Sequence, residues 1–202
     1  MIAEIAARAY AAPQPLPGAG EWPELRLADC DYRNVVARGT FEHAKEALVF
    51  HAGPEPGYHV LTPLRLNSGG YVIVNRGFVP AMLKDQVSRP EGQIAGETSI
   101  TGILRKPEMR NIFTPPDNPA ARQYFTNDPN IFAKELGGAP ISPFIIDADA
   151  SPVRGGWPKG GTTVLALPNN HFAYAFTWFG LAFALFGMFA VFAWQQRLVR
   201  GE

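Results

Sequence analysis

Leu61-Thr-Pro-Leu-Arg-Leu-Asn-Ser-Gly-Gly-Tyr-Val-Ile-Val-Asn75 reads as two strands folded back across a turn. Leu61–Leu66 and Tyr71–Asn75 are rich in aliphatic, branched and aromatic residues, the types that suit a pleated, half-buried surface. Asn67-Ser-Gly-Gly70 between them supplies residues that tolerate positive φ and interrupts both runs. Pro63 has no N–H to give a ladder, which predicts an edge or strand-end position for it.

The same texture extends outward in both directions. Short apolar runs at Tyr32–Phe41, Ala47–His51, Tyr58–Leu64, Tyr71–Phe78 and Thr98–Leu104 are separated by turn clusters such as Ala52-Gly-Pro-Glu-Pro-Gly57. Phe144–Asp147 and Thr163–Leu167 are further strand candidates. Short helices are predicted at Ile2–Tyr10, Trp22–Leu27 and Asn130–Leu136. Many short strands with few helices predict a mainly β fold, a barrel or a sandwich with short α additions. The stretch from Pro107 to Asn130 carries five prolines, and a loop of that length in a compact domain is more often functional than idle.

The far end of the chain changes character. From Gly160 to Gln196 there is no Asp, Glu, Lys or Arg, and no proline follows Pro168. Phe172–Trp194 is a 23-residue run holding seven of the chain's 14 phenylalanines. At about 1.5 Å per residue it covers about 34 Å, enough for the hydrocarbon core of a bilayer. Pro168-Asn-Asn170 is a stop-and-cap signal before it. Arg197 and Arg200 after it favour a cytoplasmic C-terminus by the positive-inside rule, with Arg154 and Lys159 nearest on the other side. The organisation predicted is an N-terminal helical and Pro-rich segment over 1–28, a β-rich extracytoplasmic domain over 29–168, a C-terminal transmembrane helix over 171–195 and a tail over 196–202. The opening Met-Ile-Ala-Glu-Ile-Ala-Ala-Arg has no apolar h-region, so either the chain is a C-terminally anchored cytoplasmic protein or its natural start lies upstream.

Composition narrows the function classes. Eighteen basic residues balance 18 acidic ones in 202, leaving no surplus of cations for bulk attraction to nucleic acid. A hydrophobic fraction of 47% excludes a disordered chain. A single cysteine, Cys30, excludes an internal disulfide framework and any Cys-rich metal site. The charged fraction of 18% is diluted by the apolar tail, since residues 1–159 carry 16 basic against 17 acidic groups. Nucleotide-binding glycine loops, zinc-protease helices and nucleophile elbows are all missing, so an enzyme has no constellation to rest on.

Four histidines remain to be weighed. His43 and His51 read as solvated strand or turn residues, and His59 is ambiguous. His171 differs by place, because it opens the apolar helix, where the partial positive charge of a helix N-terminus favours a neutral, metal-ligating imidazole. The plainer reading is an imidazole hydrogen-bonded to headgroups. Helical spacing sets Trp178 and Leu185 within about 40° of His171, and sets Ala173, Thr177, Gly180, Ala184 and Gly187 on a small-residue stripe on the nearly opposite side.

Several blocks together carry a resemblance. Tyr32-Arg-Asn-Val, His59-Val-Leu-Thr-Pro-Leu, Val74-Asn-Arg-Gly-Phe-Val-Pro80, Gly102-Ile-Leu-Arg105, Phe113-Thr-Pro-Pro-Asp-Asn-Pro119, Asn127-Asp-Pro, Gly155-Gly-Trp-Pro158 and Pro168-Asn-Asn-His-Phe-Ala-Tyr-Ala-Phe-Thr-Trp-Phe-Gly180 run in order along the chain. They resemble the Surfeit-locus-one family of cytochrome c oxidase assembly factors. The resemblance implies two membrane helices flanking a periplasmic domain in the bacterial inner membrane, or an intermembrane-space domain in mitochondria. It places the family's first helix before Ile2, which makes the chain a truncation or the product of a misplaced start. It also implies a non-enzymatic role in delivering or retaining haem a for oxidase subunit one, with haem a synthase as a further candidate partner. His171 matches the family's haem a ligand. Tyr174 and Trp178 are then expected beside the porphyrin, and Arg76 and Arg105 are candidate partners for its propionates. The alternative is a scaffold that grips an oxidase subunit and binds no haem.

Overall fold

A computed structural model of the chain describes residues 2–162 and 171–199. In chain order the elements are α1 (Ile2–Ala9), β1 (Gln14–Pro15), α2 (Leu27–Cys30), β2 (Asn34–Phe41), β3 (Ala47–His51), β4 (Gly57–Leu66), β5 (Tyr71–Pro80), β6 (Glu97–Arg105), β7 (Gln123–Tyr124), β8 (Ile141–Ala148) and α3 (His171–Val199). The expected hairpin is β4–β5, paired from Arg65 opposite Tyr71 to Gly57 opposite Pro80. Its turn closes through Leu66 N–H donating to Gly70 O at 3.0 Å, with Gly69 and Gly70 at φ of +94° and +75°.

Five strands close into a barrel. β2 pairs antiparallel with β6, β6 with β8, and β5 with β4, while β8 runs parallel to β5. Pairing of Gly39–Phe41 in β2 with Leu64–Leu66 in β4 completes the circuit. Counted among themselves in chain order, these strands stand 1-2-3-5-4-1 with the third and fifth parallel, the arrangement of the OB-type barrel. β3 and β7 extend the wall beside the first half of β4, and β1 lies along β2. The mainly β class is therefore right, and of the two architectures expected the barrel is the one formed.

Alternation along the strands fills this barrel. Val35, Ala37, Leu64, Leu66, Val72, Val74, Leu104, Phe144 and Ile146 form the inner core, with Trp22 and the unpaired Cys30 packed against them. Leu61 and Ile73 point the other way, into a second cluster with Ala47, Val49, Tyr124, Phe132 and Leu136. Both faces of β4 and β5 are thus covered, which is why Tyr-Val-Ile-Val lacks a polar alternate. Each fully buried Val, Leu, Ile or Phe among them contributes about 1.5–3 kcal/mol by leaving water.

Several local expectations shift. Pro63 lies inside a strand with neighbours on both sides, not at an edge. On one side of β4 the β3 pairing ends at Leu61 and the β2 pairing begins at Leu64. The Pro63 carbonyl accepts from Glu42 N–H at 2.9 Å on that side, so its missing N–H faces the seam between the two partners and no ladder bond is lost. The helix expected at Trp22–Leu27 is a 3-10 turn at Trp22–Glu24 followed by α2, and that at Asn130–Leu136 is a 3-10 turn at Pro129–Phe132. β2 begins at Asn34 because Tyr32 sits at φ +65°. Thr163–Leu167 and the Pro168-Asn-Asn170 cap lie outside the described residues.

The chain divides into two compact units, residues 1–165 and 166–202. Within the second, α3 contains Tyr174–Gln196, long and apolar enough to cross a membrane.

Candidate functional site

The Asn75-Arg76-Gly77 block in the middle of β5 shapes its surroundings through three different constraints. Asn75 donates from Nδ2 to Asp147 Oδ1 at 2.9 Å, and its Oδ1 accepts from Gly77 N–H at 3.1 Å. Gly77 sits at φ +112°, and a Cβ there would lie 1.9 Å from Lys159 O. The approach is that close because Phe78 and Lys159 exchange backbone hydrogen bonds of 2.9 and 3.0 Å. Only glycine fits. Asn75 and Gly77 therefore hold a bend, and Arg76 between them continues the inward row of Val72 and Val74.

Arg76 is only 4% exposed, so it is not one of the surface ion pairs that strand arginines usually make. Its guanidinium lies over the Phe41 ring at 5.0 Å, donates to Gly92 O and faces His43 Nδ1 at 3.4 Å. A guanidinium only donates, so Nδ1 accepts and the His43 proton belongs on Nε2, which is 2.9 Å from Ile94 O. His43 is therefore bound into this cluster, not solvated as its sequence context suggests. Burial pushes its pKa down, the Ile94 carbonyl opposes this, and Arg76 and Arg89 lower it further.

Behind them Glu46 and Arg89 form a buried ion pair, with a second contact of 3.1 Å from Arg89 Nη1 to Glu46 Oε2. Burial also draws Arg76 down to about 10, with Glu46 opposing and Arg89 reinforcing the shift. Arg76 stays charged at neutral pH. Among the described residues no carboxylate lies within 4.0 Å of it, and Glu46 is taken by Arg89, so the charge of Arg76 has no partner in this cluster. A cavity of about 220 Å³ opens on this end of the barrel, with Arg76, Phe41, Thr98, Thr101, Asp149 and Ser151 in its wall.

Arg105 meets a different environment. It follows inward-facing Leu104, so it points outward and lies 3.5 Å from Asp31 and 3.8 Å from Asp147, with its guanidinium 4.5 Å over the Tyr32 ring. Strand parity puts Arg76 and Arg105 on opposite faces of the barrel wall. The Asn75–Asp147 contact is the link between them.

One pairing was not foreseen at all. His59 Nε2 and His51 Nδ1 are 3.3 Å apart, with the rings at 82° and both edge-on to Phe78. Burial lowers the His59 pKa, the neighbouring His51 adds to this, and Asp147 opposes it. The signal was present as register: β3 and β4 bring Val49 opposite His59 and His51 opposite Gly57, a diagonal neighbour of His59. Among the described residues no group of three His, Cys, Asp or Glu side chains is placed to hold a metal ion.

In the second unit His171 is the first residue of α3, and its side chain lies outside the described residues. So does the Ala173 side chain of the small-residue stripe. Tyr174 and Trp178 are exposed, at 66% and 70%. The five candidates thus fall on both units: Arg76 and Arg105 on the barrel, His171, Tyr174 and Trp178 on the helix.

Comparison with known proteins decides the kinship. The sequence profile described as the SURF1 family matches residues 1–183. The chain belongs to the SURF1 family. It is 34% identical to "Surfeit locus protein 1" of Mus musculus, across 99% of this chain and 67% of the mouse protein. Against the Homo sapiens protein of the same name it is 32% identical, across 100% of this chain and 69% of that one. A "SURF1-like protein" of Monosiga brevicollis is 34% identical over 77% of this chain and 64% of its own length. The SURF1 match takes in both the Arg76 block and the start of α3. Of those family blocks, Val74–Pro80 builds the cavity wall and the bend beside it, whereas Gly102–Arg105 supplies an outward ion-pair cluster.

Proposed function

We propose that this SURF1-family chain is a membrane-anchored, non-enzymatic assembly factor for cytochrome c oxidase that binds haem a and delivers or retains it for subunit one. Membership of the family over residues 1–183 carries the reading. The apolar span of α3 supports attachment to a bilayer. The setting proposed is the bacterial inner membrane, with the barrel periplasmic and the C-terminus cytoplasmic, or the mitochondrial inner membrane. Subunit one is the client and haem a synthase a further partner.

His171 would supply the axial imidazole, with Tyr174 and Trp178 against the porphyrin. Haem a brings a redox-active iron and two propionates, and the chain's part is to hold and orient it. Of the two arginines, Arg76 suits a propionate better, because it lines the cavity and forms no ion pair among the described residues, while Arg105 already faces Asp31 and Asp147. A cavity of about 220 Å³ holds on the order of seven waters and admits a carboxylate arm, not a tetrapyrrole.

One observation favours a second reading, a scaffold without haem. The loop after β6 exposes Met109, Ile112 and Phe113 at 86–91%. It is held in shape by Arg110, which donates to Asp117 Oδ2 at 2.6 Å and to Pro115 O at 2.5 Å. An ordered loop with three exposed apolar tips suits contact with a partner.

Co-expression with the haem a biosynthetic enzymes, purification in detergent and an absorption spectrum separates the two. Haem bound by the parent and lost in His171→Ala is the expected result. An unchanged spectrum in the variant removes His171 as ligand, and a colourless parent favours the scaffold.

A further inference from the structure

We infer that the cavity at the end of the barrel is a binding site for a carboxylate group, anchored by the Arg76 guanidinium. The argument starts from charge. A buried cation is costly unless it is paired, and a native interior rarely leaves one uncompensated. Arg76 and Arg89 bring two positive charges into this region and Glu46 brings one negative, held by Arg89 through both of its oxygens. His43 adds none, since it accepts from Arg76 and donates to Ile94 O. The positive charge left over is therefore that of Arg76, on the wall of an open cavity.

The donors left free on Arg76 fit the ligand class. One N–H goes to Gly92 O and one faces His43, and the other N–H groups have no acceptor among the described residues. The guanidinium fork matches the two oxygens of a carboxylate in its own plane. Phe41 below the guanidinium and His43 beside it restrain it, so little freedom is lost when an anion arrives. Thr98, which shares the inward parity of Leu104, and Ser151 add hydroxyl-bearing side chains to the same wall. Asp149 shares the cavity, but its Oδ1 accepts from Ser151 N–H and it forms no ion pair with Arg76. It weakens the site by Coulomb repulsion without filling it.

Two sources can supply such a group: a small free carboxylic acid, or a propionate of haem a. The second rests on the function proposed above and the first does not, so the two fail separately. The test uses the full chain in detergent or nanodiscs and follows the Arg76 Nε–H resonance by nitrogen–proton correlation, assigned by its loss in Arg76→Lys. Propionate is expected to shift it with about millimolar affinity, reasonable for a ligand of five heavy atoms, and propionamide is expected not to. Asp149→Asn, which leaves the buried ion pair untouched, is expected to tighten propionate binding by about threefold. His171→Ala is expected to leave it unchanged, which separates this site from the haem ligand. Haem a and its dimethyl ester then identify the source. An ester penalty that disappears in Arg76→Gln assigns the cavity to the haem propionate. Equal retention of both, beside a propionate shift, assigns it to a free acid. The site is overturned if propionate and propionamide act alike, or if Asp149→Asn leaves propionate affinity unchanged.

Discussion

At the scale of single residues, position 77 is the least forgiving in the barrel. Its φ of +112° is already adverse for any side chain, and the Lys159 carbonyl stands where a Cβ would go. Gly77→Ala must break the Phe78–Lys159 exchange or move β5, and it is expected to cost about 2–4 kcal/mol, read as a lower thermal midpoint. An unchanged midpoint would mean that the bend is not needed. The partly buried histidines make a second demand. His43 and His59 both have pKa values below the ordinary 6.5 in the folded chain. The unfolded chain therefore binds more protons than the folded one just below pH 6.5, and stability rises with pH in that window. Acidifying from neutral pH is expected to lower the thermal midpoint, and His59→Gln to shrink the drop. A midpoint flat between pH 7.5 and 5 would contradict the partial burial of both rings. Arg76 shows what sequence could and could not convey here. The Asn-Arg-Gly block was visible as a motif, but the burial of its arginine depends on Glu46, Arg89 and His43, which lie in other segments.

Elements differ in how far their own residues determine them. The β4–β5 hairpin was legible because turn and strands are contiguous, and the turn glycines adopt the positive φ that they permit. Pro63 misled because the rule confining proline to edges assumes that a strand keeps one neighbour along its length. β4 changes neighbour at that residue, and nothing local to Leu61–Leu66 announces a partner as distant as Phe41. α3 is the opposite case, an element whose composition alone indicates its solvent. Placing Arg at both Leu185 and Met188, near the middle of Tyr174–Gln196, is expected to cost about 5–7 kcal/mol of insertion free energy. The chain should then move from the carbonate-resistant pellet to the supernatant, while Arg at Gln195 should leave it in the pellet. Retention of the double variant would show that α3 is not the anchor.

For the whole molecule, the mainly β class followed from many short strands, while the choice of barrel over sandwich depended on pairings no window of sequence contains. Closure needs β2 against β4 and β8 against β5, the latter across the 60 residues from Pro80 to Ile141. Such non-local contacts make folding slow and cooperative. The site inherits this, since the cavity wall joins residues from β2, β5, β6 and the segment after β8. A chain stopped at Ala139 lacks β8 and leaves β5 and β6 with bare edges, templates for aggregation. It is expected to be digested rapidly by a protease that spares the complete chain, with no resistant core, whereas a resistant fragment would show that closure is dispensable. The position of β8 then orders events during synthesis. α3 is reached only after β8 has been made, so every product that acquires this helix already contains the strand that seals the barrel. A chain terminated before β8 ends unsealed and without α3, which leaves it open to proteolysis and gives it no such helix with which to compete for a place in the bilayer.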